Sequence, residues 1–241
     1  MNNPNGPYPG RQLFLGLTAS GKPALAYLVT GRSPQSRERK GIPVENGVIM
    51  GPIGNQPYDW LRHYTAVKCD NDIGLAVISN GIQTEAIFET YKLLFHTGSP
   101  PEQGYMEKIL DGARAEPDSL HTPRIAGIIT NPSGRVKSAF IIGIKIHGLS
   151  AKTFQIKPEP ATLTGISTYK GDMNDPEPFD VRANLPKLEF KGDTIEEIAE
   201  CIYNISSASY QGDDIRVCAI GGIRSDDNRT WNLAIINRHQ R

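Results

Sequence analysis

Four short segments place ionisable side chains at the points where apolar runs end. The first, Thr30–Lys40 (TGRSPQSRERK), gathers Arg32, Arg37, Arg39 and Lys40 behind an apolar run. Guanidinium forks bind phosphate or carboxylate in a bidentate way, so the segment reads as an anion-binding loop or as a solvated basic loop. The second is Arg62–Lys68 (RHYTAVK). Strict alternation along a strand puts Tyr64 and Lys68 on one face and Thr65 and Val67 on the other. A tyrosine there is ordinarily half-buried, with its hydroxyl satisfied. The third is Ser79–Glu85 (SNGIQTE), where a strand passes into a helix. Free N–H groups at a helix start attract anions, and Gly81 lets a ligand approach the backbone; a plain helix entry would look the same. The fourth, Glu116–Arg124 (EPDSLHTPR), leads into a very apolar strand with Arg124 at its mouth. A cation entering such a strand needs a partner, either Glu116 or a ligand. His63, His96, His121, His147 and His239 lack the spacing of a metal site, and only His63 and His121 fall within these segments.

Strands dominate the elements that must position these groups. Gln12–Ala19 and Ala24–Thr30 flank a Ser-Gly-Lys-Pro turn, Tyr64–Cys69 and Ile73–Ser79 flank Asp-Asn-Asp, and Arg124–Thr130 and Val136–Ile146 flank Asn-Pro-Ser-Gly. Further strands are expected over Thr153–Lys157, Thr162–Thr168, Ile215–Ile220 and Trp231–Asn237. Runs such as IAGII and AFIIGI suit strands covered on both faces. Three helices are expected. Ile82–Phe95 aligns Ile87, Tyr91, Leu94 and Phe95, and Glu102–Ala115 aligns Met106, Ile109, Leu110 and Ala113. Asp193–Ile205 has Asp193 as N-cap, Glu196 as its capping-box partner and an apolar face of Ile195, Ile198, Ala199, Ile202 and Tyr203. Many antiparallel strands with a few one-sided helices give an α+β fold, helices outside stacked sheets. The chain reads as one domain over 1–241 with a flexible tail at 1–9; Gly171–Pro186 is an excursion or connector.

Composition removes several partners. Across 241 residues, 26 Lys and Arg balance 26 Asp and Glu. Nucleic acid and anionic membrane surfaces both call for a basic excess, so neither is expected as the main partner. No apolar run approaches a bilayer span, and the first residues lack a secretory pattern. Cys69, Cys201 and Cys218 are widely spaced, without a metal-site or redox pattern, which suits reduced thiols in the cytoplasm.

Five stretches in order, AYLVTGRSPQSR, YTAVKCDNDIGLAVISNGIQTEAI, LHTPRIAGIIT, GISTYKGD and WNLAIIN, resemble the archaeal-type IMP cyclohydrolases. The resemblance runs from about Gly10 past Trp231; its most specific elements are Arg-Ser-x-x-x-Arg, Ser-Asn-Gly-x-x-Thr, Thr-Pro-Arg-Ile-Ala and Ile-Ser-Thr-Tyr. It implies a four-layer α-β-β-α sandwich like that of the N-terminal-nucleophile hydrolases, two mainly antiparallel sheets with outer helices. It also implies closure of 5-formamidoimidazole-4-carboxamide ribonucleotide (FAICAR) to IMP with loss of water, the last step of purine synthesis. The tail holds no Ser, Thr or Cys ahead of the first strand, so a covalent N-terminal nucleophile is not expected. The implied catalytic residues are Tyr64 as acid/base, Arg37 as the charge over the developing oxyanion, and Glu116 as proton relay or positioning group. Arg32, Arg124, Asn80, Gly81, Thr84, Thr122 and, more weakly, Lys68 would bind the purine ribonucleotide. The chemistry calls for no cofactor or metal; a homo-oligomer is compatible with everything above. The rival readings are an amide hydrolase of the N-terminal-nucleophile fold and a non-catalytic purine-nucleotide-binding protein.

Overall fold

Apolar runs of five to nine residues, too short for stable helices, pair as antiparallel strands along the whole chain. The computed structural model describes residues 8–130, 138–171, 173–206, 209–225, 227 and 230–241. In chain order come β1 (Arg11–Leu17), β2 (Pro23–Thr30), the one-turn α1 (Pro34–Arg37), β3 (Arg39–Val44), β4 (Gly47–Pro52), β5 (Tyr64–Asp70) and β6 (Leu75–Ser79). Helices α2 (Gln83–His96) and α3 (Gln103–Ala113) follow, then β7 (Arg124–Thr130), β8 (Ala139–Lys145), β9 (Lys152–Gln155) and β10 (Thr162–Ser167). The last part holds β11 (Tyr169–Lys170), β12 (Glu177–Pro178), β13 (Lys187–Glu189), α4 (Ile195–Ile205), β14 (Ser209–Tyr210), β15 (Asp213–Asp214), β16 (Arg216–Arg224) and β17 (Trp231–Asn237). One sheet has six strands in the order β13-β10-β1-β2-β16-β17, and the other has seven in the order β3-β4-β5-β6-β7-β8-β9. Their ladders are antiparallel. The protein is thus a mixed α and β protein with large antiparallel sheets and few helices.

Three of the four apolar clusters among the described residues pack the large sheets and helices. Leu13, Tyr27 and Ile220 of the six-stranded sheet share a cluster with Met50, Ile78, Ile125 and Ile142 of the seven-stranded sheet. Their alternate neighbours face helices. Phe14, Ala26 and Ala219 pack with Ile198 and Ile202 of α4, while Val77, Ile128 and Ile141 pack with Ile87 of α2 and Leu110 of α3. Period-two alternation therefore feeds two cores from each sheet, which is why the central strands carry almost no polar residues. At Gly221 a Cβ would lie 2.6 Å from the carbonyl oxygen of Ile195, so glycine is what lets α4 press onto β16. Among the described residues no helix is long and apolar enough to cross a membrane.

Several sequence-based expectations change. Helix α4 is capped one residue later than expected: Thr194 accepts from the Glu197 amide, and the Glu197 side chain returns to the Thr194 amide. The true box is Thr194–Glu197, because Thr-x-x-Glu and Asp-x-x-Glu overlap at this point in the sequence. Asp193 instead accepts from the amide and hydroxyl of Ser20 at 2.9 and 2.6 Å, tying the β1–β2 turn to the helix entry. These bonds, the Ser20 hydroxyl first, hold its carboxyl down at about 2. A carboxyl depressed on folding stabilises the native state above its unfolded value of ~3.9, and that contribution fades as pH falls towards 2. NMR titration is expected to find Asp193 ionised down to about pH 2, and Ser20→Ala to return it towards the ordinary range.

The basic segment is not a single loop. After α1 it becomes β3, paired with β4 from Arg39↔Pro52 to Val44↔Gly47. Strand β5 carries a bulge: Val48 pairs with Val67 but Ile49 with Thr65, leaving Ala66 as the extra residue. Ala66 and Val67 both enter the inter-sheet core. Tyr64 and Lys68 consequently lie on opposite faces, contrary to strict alternation. Of the expected tail, Tyr8 is buried and stacks on Tyr169 with ring centroids 5.7 Å apart; residues 1–7 lie outside the described residues.

Candidate active site

The loop between α3 and β7 is folded on itself by short-range bonds. Helix α3 ends at Arg114, whose φ of 56° turns the chain away. The Glu116 amide then donates to the Thr122 carbonyl at 2.9 Å, and Asp118 accepts from the Thr122 amide and hydroxyl at 2.8 and 2.5 Å. This closure aims the Glu116 carboxylate inwards, where the residue is 3% exposed. Glu116 Oε1 accepts from Arg11 Nη2 at 2.5 Å and from Arg124 Nη1 at 3.1 Å. Arg11 opens β1 in one sheet and Arg124 opens β7 in the other. One carboxylate thereby joins the two sheets at one end, with both guanidiniums buried.

Two positive charges share one negative charge here, and electrostatics differ between them. Burial alone would lower Arg11, but Glu116, followed by Tyr64 and Tyr27, raises it well above the ordinary arginine value. Burial is also the largest influence on Arg124, and with the like charge of Arg11 it lowers that group despite Glu116. Both stay cationic at neutral pH because guanidinium does not deprotonate in proteins. The surplus charge favours an anion at this end of the molecule.

Tyr64 lies beside the trio. Its hydroxyl is 2.8 Å from that of Tyr27 on β2, and both rings are buried in the inter-sheet core. Burial, then the neighbouring Tyr64, pushes Tyr27 well above the usual phenol value, with Arg11 and Arg39 opposing. Tyr27 is therefore a neutral hydroxyl at physiological pH. Arg39, 2% exposed on β3, approaches the same pair and makes no ion pair among the described residues.

Gly81 belongs to this group for a steric reason. A Cβ there would overlap Arg124 Nη1, so glycine makes room for the guanidinium that reaches Glu116. Gly81→Ala is expected to displace Arg124 and cost about 1–3 kcal/mol, the range for overpacking a filled interior. Urea unfolding measures this, and an unchanged midpoint would refute the steric role.

The remaining expected site residues divide. Asn80 accepts from the Ile125 amide and from Gln83, and donates to the Pro123 carbonyl at 2.8 Å, joining the start of α2 to β7. Thr84 donates to the Thr65 carbonyl or the Gly81 carbonyl and meets Ser79, within the fold rather than into a cleft. Thr122 and Arg32 line a cleft of about 520 Å³ with Tyr8, Arg11, Asp118 and Tyr169. That volume falls within the usual range of small-molecule sites, ~300–1,000 Å³. Arg32 donates to the Met173 and Asn174 carbonyls and covers the Tyr8 ring. Arg37 lines a neighbouring pocket with Asp213, Gln56 and Arg238; Pro34 borders both spaces. Its guanidinium meets the Gly31 and Arg32 carbonyls and Asp213, none of which belongs to the Glu116 group. Lys68 stands apart: the bulge turns it towards α2, where it pairs with Glu85 and Glu89 over the Phe88 ring. His121 is exposed and stacks on His147 with centroids 4.0 Å apart. Among the described residues no cluster of three or more His, Cys, Asp or Glu side chains is arranged to hold a metal.

Sequence reasoning missed Arg11 and Tyr27. The signal for Arg11 was the one used for Arg124, a cation heading an apolar strand. Tyr27 was legible as the polar-tipped member of the Leu25-Tyr27-Val29 face.

A buried Arg–Glu–Arg bridge, flanked by paired tyrosines, lies beside a cleft lined by Arg11 and Arg32, a candidate site for a small anionic molecule. The chain belongs to the IMP cyclohydrolase-like family, whose model matches residues 8–228. It is 28% identical to the IMP cyclohydrolase of Methanocaldococcus jannaschii over 91% of this chain and 95% of that protein. Similar relatives are the IMP cyclohydrolases of Thermococcus kodakarensis, 27% identical over 94% and 96% of the two chains, and Methanocella arvoryzae, 24% over 97% and 100%.

Proposed function

We propose that this chain is an IMP cyclohydrolase, of the cyclic amidine hydrolase class, which closes the pyrimidine ring of FAICAR and releases water. The observation that carries the reading is Glu116 shared by Arg11 and Arg124 beside Tyr64, at a cleft of nucleotide size, in a chain of this family.

Ring closure joins the carboxamide nitrogen to the formamide carbon of the same molecule. Holding the two groups in contact geometry can supply about 7–11 kcal/mol of the barrier. Arg11, Arg32 and Arg124 would fix the anionic substrate, with Thr122 holding Asp118 and the Tyr169 hydroxyl in the cleft wall and Gly81 leaving space beside Arg124. As nitrogen adds to carbon, the formyl oxygen gains negative charge, which a preorganised cation stabilises best in a dry site. Arg37 is assigned that role: its carboxylate partner Asp213 is 61% exposed, and such half-solvated pairs are weak enough to exchange for an anion. Tyr64 passes a proton at the reacting centre. Glu116 relays the amide proton while it keeps Arg11 and Arg124 aimed. The departing oxygen then leaves as water and the amidine double bond forms. Asn80 and Thr84 hold the β6–α2 turn in shape, and Lys68 braces α2.

The helices outside two face-packed sheets support a four-layer α-β-β-α sandwich like that of the N-terminal-nucleophile hydrolases, in one domain. A cytoplasmic location fits the free cysteines. Purified protein incubated with FAICAR is expected to yield a product lighter by one water, seen by mass spectrometry. Tight IMP binding without that product would favour a non-catalytic nucleotide-binding protein instead.

A further inference from the structure

We infer that Tyr27 is a positioning residue for ring closure: its buried hydroxyl, 2.8 Å from that of Tyr64, fixes the orientation of the Tyr64 phenol. The inference rests on the proposed role of Tyr64 and adds a second residue to it. Tyr27 is 0% exposed in the middle of β2, whereas Tyr64 keeps 6% exposure at the start of β5, so Tyr27 acts through Tyr64 and not on the substrate.

Geometry limits what Tyr27 can do. Strand β2 sits between β1 and β16 in the six-stranded sheet, and Tyr27 is registered against Leu13 on one side and Ile220 on the other. Its ring is held by these neighbours, whereas Tyr64 stands at the first position of β5, where the chain enters the sheet from the 53–63 connection. A hydroxyl carried by a central strand is a fixed point for one carried at a strand end. The groups that face Tyr64 are Arg11 from β1, Tyr27 from β2 and Arg124 from β7, with Glu116 bridging the two arginines. Arg39 from β3 faces Tyr27. Burial keeps Tyr27 neutral, so its hydroxyl stays available to the Tyr64 oxygen as donor or acceptor.

Replacing Tyr27 by Phe deletes the hydroxyl and keeps the ring. The Tyr64 hydroxyl then loses the partner that fixes its direction. Expected for Tyr27→Phe is a kcat reduced at least ~10-fold with KM within about threefold, the cost of a misaligned reacting group. A structural defect would weaken substrate and IMP binding together with kcat. The experiment measures the kcat and KM of wild type and Tyr27→Phe for FAICAR, with IMP affinity by calorimetry on both proteins. A kcat within twofold of wild type, a KM raised as much as kcat falls, or complete loss of IMP binding would each overturn the positioning role. Wild-type protein that binds IMP and leaves FAICAR unchanged would instead overturn the functional reading.

Discussion

Tyr64→Phe is expected to lower kcat by roughly 10²–10⁴-fold, the usual contribution of a placed acid or base. The same change should leave the midpoint of thermal unfolding within a few degrees, because the phenyl ring keeps its place in the inter-sheet core and only one buried hydroxyl pair is lost. A net hydrogen bond between neutral groups is worth about 1 kcal/mol. The two measurements separate chemistry from folding: differential scanning calorimetry reads the second, and initial rates with FAICAR read the first. Near-normal turnover in this variant would remove Tyr64 from the proton path.

Glu116→Gln reverses that pattern. The amide fills the same volume but leaves Arg11 and Arg124 facing each other, both buried, with their shared charge gone. Breaking a buried ion pair by removing one partner typically costs ~3–5 kcal/mol, much of it from the stranded charge. For a chain of this size that corresponds to a loss of roughly 6–20 °C in Tm. Activity should fall as well, since the two guanidiniums lose the group that aims them. Added phosphate should recover part of the lost stability, because an anion bound to the native state stabilises it by mass action. Thermal scans of Glu116→Gln with and without phosphate test this. A Tm equal to wild type would mean that the bridge contributes little to joining the sheets.

The helices and most strands were legible because they are apolar runs with clear punctuation. Helix α4 shows how far that goes: its face of Ile198, Ala199, Ile202 and Tyr203 was plain, while its cap was misassigned by one residue because two overlapping patterns competed. The β3–β4 hairpin was not legible. Gly41, Pro43, Gly47 and Gly51 dilute its apolar pattern, and pairing with neighbouring strands overrides the weak propensity. The bulge at Ala66 could not be read either, since it arises from how β5 pairs with β4, and it moved Lys68 to the opposite face from Tyr64. At the site, the partnership of Arg124 and Glu116 followed from the need to neutralise a cation entering an apolar strand. Arg11 escaped the same argument because its partner lies 105 residues away, in the loop that leads into the other sheet. Such convergence is a property of the packed sheets and leaves no local mark.

The most direct measurement follows the ultraviolet absorbance of FAICAR with purified protein in buffer free of folate and added metal. The expected result is a spectrum that moves to that of IMP at a rate proportional to enzyme, and that Tyr64→Phe and Glu116→Gln both slow. An unchanged spectrum from protein that is folded and binds IMP would contradict a ring-closing role for the Arg–Glu–Arg and tyrosine groups where the two sheets meet.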